Sequence, residues 1–238
     1  MELIISIFNE ALARPLFNLL VFTYNTVPGH DFGIAIILVT VFLRVLLYPL
    51  SDKALKSQKA LQELQPKIKE VQKKFKNKEE QARAMMEFYK EHKVSPFSGC
   101  LPLLIQLPIL IALYRVFLTG LDPNSLSSLY PFIQNPGSLN PMFMGLVNLA
   151  QPSHVLAVLA GLSQFLQAKT AFTQPSMPAG PGGDFSKSMQ QSMIYMMPLF
   201  MIFIAWKLPA GLGLYWVITM LFSFGQQIMV NRSFSKKV

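Results

Sequence analysis

Charge is scarce in this chain. Asp, Glu, Lys and Arg make up 14% of its 238 residues, against about 25% in a soluble domain. Acid is scarcer than base: 12 Asp and Glu face 21 Lys and Arg, for a net charge of +9. A single cysteine, Cys100, excludes an intrachain disulfide. The three histidines, His30, His92 and His154, are scattered without metal-ligand spacing, so no metal site is expected. No apolar run carries a carboxylate pair or a nucleophile with a base, so neither an enzyme nor a cofactor is expected. The stretch GGDFSKS (182–188) places Ser186 where a phosphate loop requires glycine, which excludes that motif. The opening MELIISIFNEALARPLFNLLVF has no basic leader and no small-residue cleavage site, unlike a secretory signal.

What is abundant is apolar length. Hydrophobic residues are 52% of the chain, and several runs reach the roughly 20 residues that cross a bilayer core. The expectation is an all-α polytopic membrane protein with five transmembrane helices, at about 31–51, 97–118, 153–171, 189–206 and 210–230. Residues 1–30 read differently. Glu2, Ser6, Asn9, Glu10, Arg14 and Asn18 recur every three or four positions, which makes one polar helical face. That pattern predicts an amphipathic helix lying in the membrane interface; the competing reading is a first span. KLPAG (207–211) predicts a tight turn that makes the last two spans a helical hairpin.

Orientation follows from where the cations fall. The 52–96 segment holds twelve: Lys53, Lys56, Lys59, Lys67, Lys69, Lys73, Lys74, Lys76, Lys78, Arg83, Lys90 and Lys93. The 119–152 segment, rich in Pro, Asn and Ser, holds none. The 172–188 linker carries Lys187, and the 231–238 tail carries Arg232, Lys236 and Lys237. The chain therefore reads as having its N-terminus outside and its C-terminus in the cytoplasm, with 119–152 as an external, mostly loop cap.

Within 52–96, Leu61, Leu64, Ile68, Val71 and Phe75 step by 3, 4, 3 and 4, and Ala82, Met85, Met86 and Tyr89 continue after Asn77. Two antiparallel amphipathic helices are expected, turning near Asn77, with Pro66 kinking the first. The plain reading is a connector between spans. The functional reading is a basic arm, through Lys53, Lys56, Lys59, Lys67, Lys73, Lys74, Lys76, Lys78 and Arg83, for lipid headgroups, a ribosome or targeting partners. No nucleic acid is expected as a specific ligand.

Orientation also assigns depth to the polar residues inside the spans. Arg44 stands eight residues before Asp52, about 12 Å of helix, which snorkelling covers only in part. Thr40, Arg44 and Tyr48, spaced by four, would share a face of the first span. Gln106 lies in the cytoplasmic half of the second span, and Ser163, Gln164, Gln167 and Thr170 toward the cytoplasmic end of the third. Trp216, Thr219, Ser223 and Gln226 with Gln227 line one face of the fifth. Singly, each Gln or Ser reads as interhelical glue. Together they suggest a polar cavity open to the cytoplasm and closed outside. A transporter would place its site at the midplane between repeats, and no repeat is visible. A channel would need polar lining through its full depth. No Asp or Glu in any span can neutralise Arg44, so it is expected to be satisfied by water and passing substrate. The methionines of 189–201 suit adaptable apolar contact or plain lipid exposure.

The stretches TVFLRVLLYPLSDKALKSQKALQELQPKIKEVQKKFKNKEE, MMEFYKEHKVSPFSGCLPLLIQLPILIALYRVF and PAGLGLYWVI, in that order, resemble the YidC family of membrane protein insertases over about residues 30–232. The resemblance implies a five-helix core around a hydrophilic groove with one key arginine, here Arg44, and groove positions at Gln167 and Trp216. It implies insertion of nascent membrane proteins into the plasma membrane, alone or beside the Sec translocon, with the hairpin receiving substrate and touching the ribosome. Two features depart from many bacterial members. The chain is expected to begin directly at the interfacial helix, and the segment after Val230 is short for a ribosome-binding tail. The remaining rivals are a small-solute transporter and a chaperone that assembles membrane proteins without inserting them. A monomer is plausible.

Overall fold

A computed structural model describes residues 2–75, 77–92, 94–95, 101–119, 123–171 and 191–235. Lys76, Lys93, Cys100, Lys187 with its linker, and Lys236 and Lys237 lie outside the described residues. The molecule is mostly helical. In chain order the helices are α1 (Glu2–Phe8), α2 (Arg14–Thr26), α3 (Phe32–Leu46), α4 (Tyr48–Glu63), α5 (Gln65–Lys74), α6 (Lys78–Glu91), α7 (Leu101–Thr119), α8 (His154–Ala171), α9 (Met197–Ala205) and α10 (Ala210–Ser235). A π-helical turn, Asn9–Ala13, joins α1 to α2 without a break, and another, Ser192–Met196, leads into α9.

Local chemistry sets several boundaries. Asp31 caps α3, its Oδ1 accepting from the Ile34 amide at 2.9 Å. α3 ends at Leu46, and the chain bends by 64° before α4. Pro49, in the first turn of α4, supplies the reason. It has no amide hydrogen to continue the ladder, and its ring crowds the carbonyl one turn back. The expected first span is thus two helices meeting at an angle. Pro66 likewise stands in the first turn of α5, and Asn77 caps α6 by accepting from the Glu79 amide at 3.0 Å.

Among the described residues, two helices are long and apolar enough to cross a membrane, Ile5–Thr26 and Ala210–Phe234, or three if α3 and α4 count as one bent span. The first of these covers the segment whose pattern reads as interfacial. Along its polar face Ser6 and Glu10 are exposed, Asn9 and Arg14 are half-buried, and only Asn18 is turned fully inward. Asn18 is 1% exposed; its Nδ2 donates to the Arg14 carbonyl at 2.9 Å, and its Oδ1 accepts from the Tyr130 amide at 2.7 Å.

Residues 123–149 form a 3-10 turn (Pro123–Ser128) and a two-stranded antiparallel hairpin, β1 (Met142–Phe143) with β2 (Val147–Asn148), in which Met142 pairs with Asn148 and Phe143 with Val147. Its turn takes positive φ at Met144 (50°) and Gly145 (69°), the mirror-image geometry that two-strand twist prefers. Asp31 Oδ2 accepts from the Met144 amide at 2.6 Å, and Phe143 packs on Gly33, where a Cβ would come within 2.1 Å of the ring. The hairpin is thereby fixed on the start of α3.

α8 is the central strut. It packs against α9 on one side and α10 on the other, whereas α9 and α10 touch each other little. The short 206–209 turn therefore joins two helices that α8 separates, which corrects the expected hairpin. Small residues make the approach possible: a Cβ on Gly161 would lie 2.3 Å from Ile202 Cγ1, and one on Gly213 3.3 Å from Leu156 Cβ.

Burial divides each long helix. Phe32, Ala35, Ile36 and Val39 of α3, Leu113, Val116 and Phe117 of α7, and Leu212 and Leu214 of α10 belong to one apolar core. α2 and the 126–149 segment close it, with Leu20 at 1%, Val21 at 0% and Leu149 at 0% exposure. Phe32 meets Phe117 edge-on at 5.9 Å. Toward the other end of α3, α7 and α10 lie the buried polar side chains Thr40, Gln106, Thr219, Gln226 and Gln227, with Ser163 on α8 and Lys59 on α4, whereas the buried Asn18 of α2 stands at the apolar end.

Candidate functional site

Arg44 is carried on the last turn of α3, half-buried, just before the bend. Its Nη2 donates to Gln106 Oε1 of α7 at 2.7 Å. Gln106 is 8% exposed and in turn donates through Nε2 to the hydroxyl of Tyr215 on α10. Three helices that are far apart in sequence thus share one chain of hydrogen bonds. The amide suits this place: its oxygen accepts from the cation while its nitrogen donates onward, so both ends are satisfied. Sequence pattern leaves Arg44 to water and substrate; the structure corrects this by supplying a neutral partner. Among the described residues no carboxylate reaches it, so its charge is hydrogen-bonded but not neutralised.

Tyr215 is the residue that sequence reasoning passed over. It is 2% exposed and lies four residues before Thr219 on the same helix. That i, i+4 relation to a buried threonine was the available signal.

The other expected residues divide by what they touch. Trp216 Nε1 donates to Gln164 Oε1 at 3.2 Å, linking α10 to α8. Thr40 and Ser163 are buried, and their hydroxyls donate back to the Ile36 carbonyl at 2.6 Å and the Ala160 carbonyl at 2.9 Å. Thr219 is fully buried, whereas Gln167 and Ser223 are half-buried. Tyr48 does not share the Arg44 face, because the helix bends before it; its hydroxyl points to Met229 Sδ at 4.0 Å. Farther along, Gln226 Nε2 donates to Ser51 Oγ at 3.1 Å, Asn231 Nδ2 to the Thr170 carbonyl at 3.2 Å, and Gln62 Nε2 to the Ala171 carbonyl at 3.0 Å. The first bond joins α10 to α4, and the other two satisfy carbonyls that the end of α8 leaves open.

The charged segment is less uniform than its sequence. Lys53, Lys56, Lys67, Lys74 and Arg83 are exposed. Lys59 is 8% exposed, because it follows Ala54 and Leu55 on the buried face of α4 and lays its stem there. Lys56 meets Asp52 at 2.6 Å, and that hydrogen bond and charge hold its pKa above the ordinary lysine value. Lys73 stands on α5 and Lys78 opens α6.

The family model for the 60Kd inner membrane protein matches residues 22–237. The membrane protein insertase YidC of Fusobacterium nucleatum is 35% identical over 216 residues, covering 90% of this chain and 93% of the relative. That of Oceanobacillus iheyensis is 35% identical over 215 residues, covering 88% of this chain and 78% of the relative. That of Geotalea daltonii is 34% identical over 225 residues, but the chain spans only 38% of its length. A solved structure, an active YidC insertase with its first transmembrane domain resolved, superposes with a TM-score of 0.51 at 27% identity, over 83% of this chain and 41% of the other. With nine-tenths of its length matched by the family model and by curated relatives, this chain belongs to the 60Kd inner membrane protein family, the family of the YidC insertases.

Proposed function

We propose that this chain inserts newly made membrane proteins into a bacterial inner membrane. The observation that carries the proposal is an arginine inside an apolar bundle, tethered by a glutamine and, among the described residues, facing no carboxylate. A charge in hydrocarbon costs a few kcal/mol, about 2.5–3.5 on insertion scales. One neutral hydrogen bond offsets part of that and leaves an unbalanced positive field. A short polar or acidic stretch of a substrate entering from the cytoplasm would be attracted to it. The substrate's apolar segment then passes sideways into lipid, and that transfer drives insertion.

The separation of an apolar core at one end from buried polar groups at the other supports a groove closed outside and open to the cytoplasm. The interfacial reading of residues 1–30 gains support from their hydrogen bonds. Asn9 accepts from Arg115, Arg14 donates to the Ser128 carbonyl, and Asn25 donates to the Gln134 carbonyl. These bonds tie both ends of the helix to the 115–134 segment, and on this reading the helix lies across the end of the bundle. On this reading α4 to α6 form the cytoplasmic arm that receives substrate, with the Sec translocon and the ribosome as partners. The five-span arrangement, with the N-terminus outside and the C-terminus inside, belongs to the same proposal.

Reconstituted insertion of substrates with acidic and neutral N-terminal stretches tests it. Arg44→Ala is expected to cut insertion of the acidic substrate most. Full insertion of the acidic substrate by that variant would refute the electrostatic step. Cysteines at 106, 164 and 223 labelled only from the cytoplasmic side support the groove, and labelling from both sides points to a transporter.

A further inference from the structure

A guanidinium donates hydrogen bonds and accepts none. Whatever holds Arg44 must therefore present an oxygen, and Gln106 does so with Oε1, 2.7 Å from Nη2. That contact fixes the orientation of the amide. With its oxygen turned to Arg44, its Nε2 can only donate, and it donates to the Tyr215 hydroxyl. Tyr215 is 2% exposed and belongs to the apolar core together with Leu212 and Leu214. The tether therefore has one end on the cation and the other rooted in packed side chains. Gln164, the comparable glutamine of α8, uses its oxygen on Trp216 instead.

This geometry restricts where the charge can go. A long charged side chain in a span swings toward the nearest headgroups when nothing holds it. Arg44 stands two residues before the end of α3, and on the proposed topology that end faces the cytoplasm. Gln106 lies inside α7, five residues after Leu101, and is 8% exposed. A bond to a side chain that is itself buried holds the guanidinium back from the headgroups. It also leaves the cation usable. The contact occupies one Nη2 proton, and a guanidinium offers two paired edges, Nε with Nη2 and Nη1 with Nη2. Among the described residues nothing else bonds Arg44, so one edge stays whole for a carboxylate.

We propose that Gln106 is a positioning residue that fixes the depth of the Arg44 charge, so that the protein selects substrates by the spacing between an acidic side chain and the apolar segment beside it. The inference rests on the insertion reading given above. A charge held at one depth meets an acid at one point along an extended tail, where each residue advances about 3.3 Å. A charge free to swing meets it over several.

Reconstituted insertion of one substrate series tests this. A single Asp is moved residue by residue along a neutral polar tail, and each member is compared with its Asn twin. In the wild type the ratio of the two is expected to peak at about fivefold, the effect of roughly one cation at a membrane, over about two tail positions. Gln106→Leu frees the guanidinium and should lower the peak and spread it over about four positions or more. Gln106→Glu keeps the shape and the tether but neutralises the cation, so it should abolish the preference at every position. It carries the test where the leucine variant does not fold. A glutamine that served packing alone would change the yield of both twins alike and leave the profile of the ratio unmoved. An unmoved peak in Gln106→Leu, or an unchanged ratio in Gln106→Glu, overturns the positioning role. A wild-type ratio raised equally at every position overturns the spacing and leaves the attraction to Arg44 standing. A wild-type ratio no higher than that of Arg44→Ala at any position refutes the attraction itself.

Discussion

At the scale of the residue, the arginine matters through what holds it. A hydrogen bond to a charged group contributes about 1.5–3 kcal/mol, and Gln106 makes one to Arg44 while using its other end on Tyr215. Gln106→Leu removes both at once. It is expected to destabilise the protein by about 1–3 kcal/mol, the cost of leaving buried partners unsatisfied. Thermal unfolding in detergent measures this. Arg44→Leu on the Gln106→Leu background should cost less than on the wild type, because the unpaired charge is then gone. Additive losses in that cycle would show that the two residues are not coupled. Tyr215→Phe is the milder change, since it takes from Gln106 only its onward acceptor. It should lower stability by about 1 kcal/mol and leave the Arg44 contact intact.

At the scale of the element, close approaches decide which helices can be neighbours. Gly161→Ala would place a methyl 2.3 Å from Ile202 Cγ1 and 2.9 Å from the Pro198 carbonyl, and that backbone oxygen cannot swing away. A loss of about 1–3 kcal/mol is expected from overpacking, read as a lower midpoint of thermal unfolding. Gly33→Ala meets the ring of Phe143 instead. Its loss should shrink on a Phe143→Ala background, since the obstacle is a side chain. The elements were legible to different degrees. Apolar length gave the long helices, and the Asp31 and Asn77 caps stand where the sequence places short polar residues before helical runs. The bend before Tyr48 was not foreseen although Pro49 was visible, because a proline in an apolar run can sit inside a kinked span or start a new helix. Only the packing around it chooses. The position of α8 between α9 and α10 left no mark on periodicity, since a helix buried on two sides and one exposed to lipid are both apolar.

At the scale of the whole molecule, the division between an apolar end and a polar end is the property on which orientation turns. On the proposed topology, replacing Cys100 by serine and placing single cysteines at Lys53 or Asn135 should give opposite results. A membrane-impermeant thiol reagent should reach 135 from outside in intact cells and reach 53 only after the membrane is opened. The reverse pattern would invert the topology and with it the side from which substrate enters. The candidate site shows the same split between pattern and packing. Arg44, Gln106, Gln164 and Trp216 could be picked out because a polar side chain in an apolar helix is costly and therefore conspicuous. Their pairing could not, because residues 62 apart in sequence, as Arg44 and Gln106 are, have no periodic relation.

Composition and hydropathy by themselves determined that this is a helical membrane protein, that most of its cations gather in one segment, and that Arg44 sits among apolar residues. These are properties of local chemistry, and transfer free energies read them residue by residue. Tertiary structure alone decided what Arg44 touches, that Tyr48 leaves its face, and that Lys59 is buried. Each depends on how separate helices dock, and docking is set by shape and by the few polar groups that must find partners once water is gone.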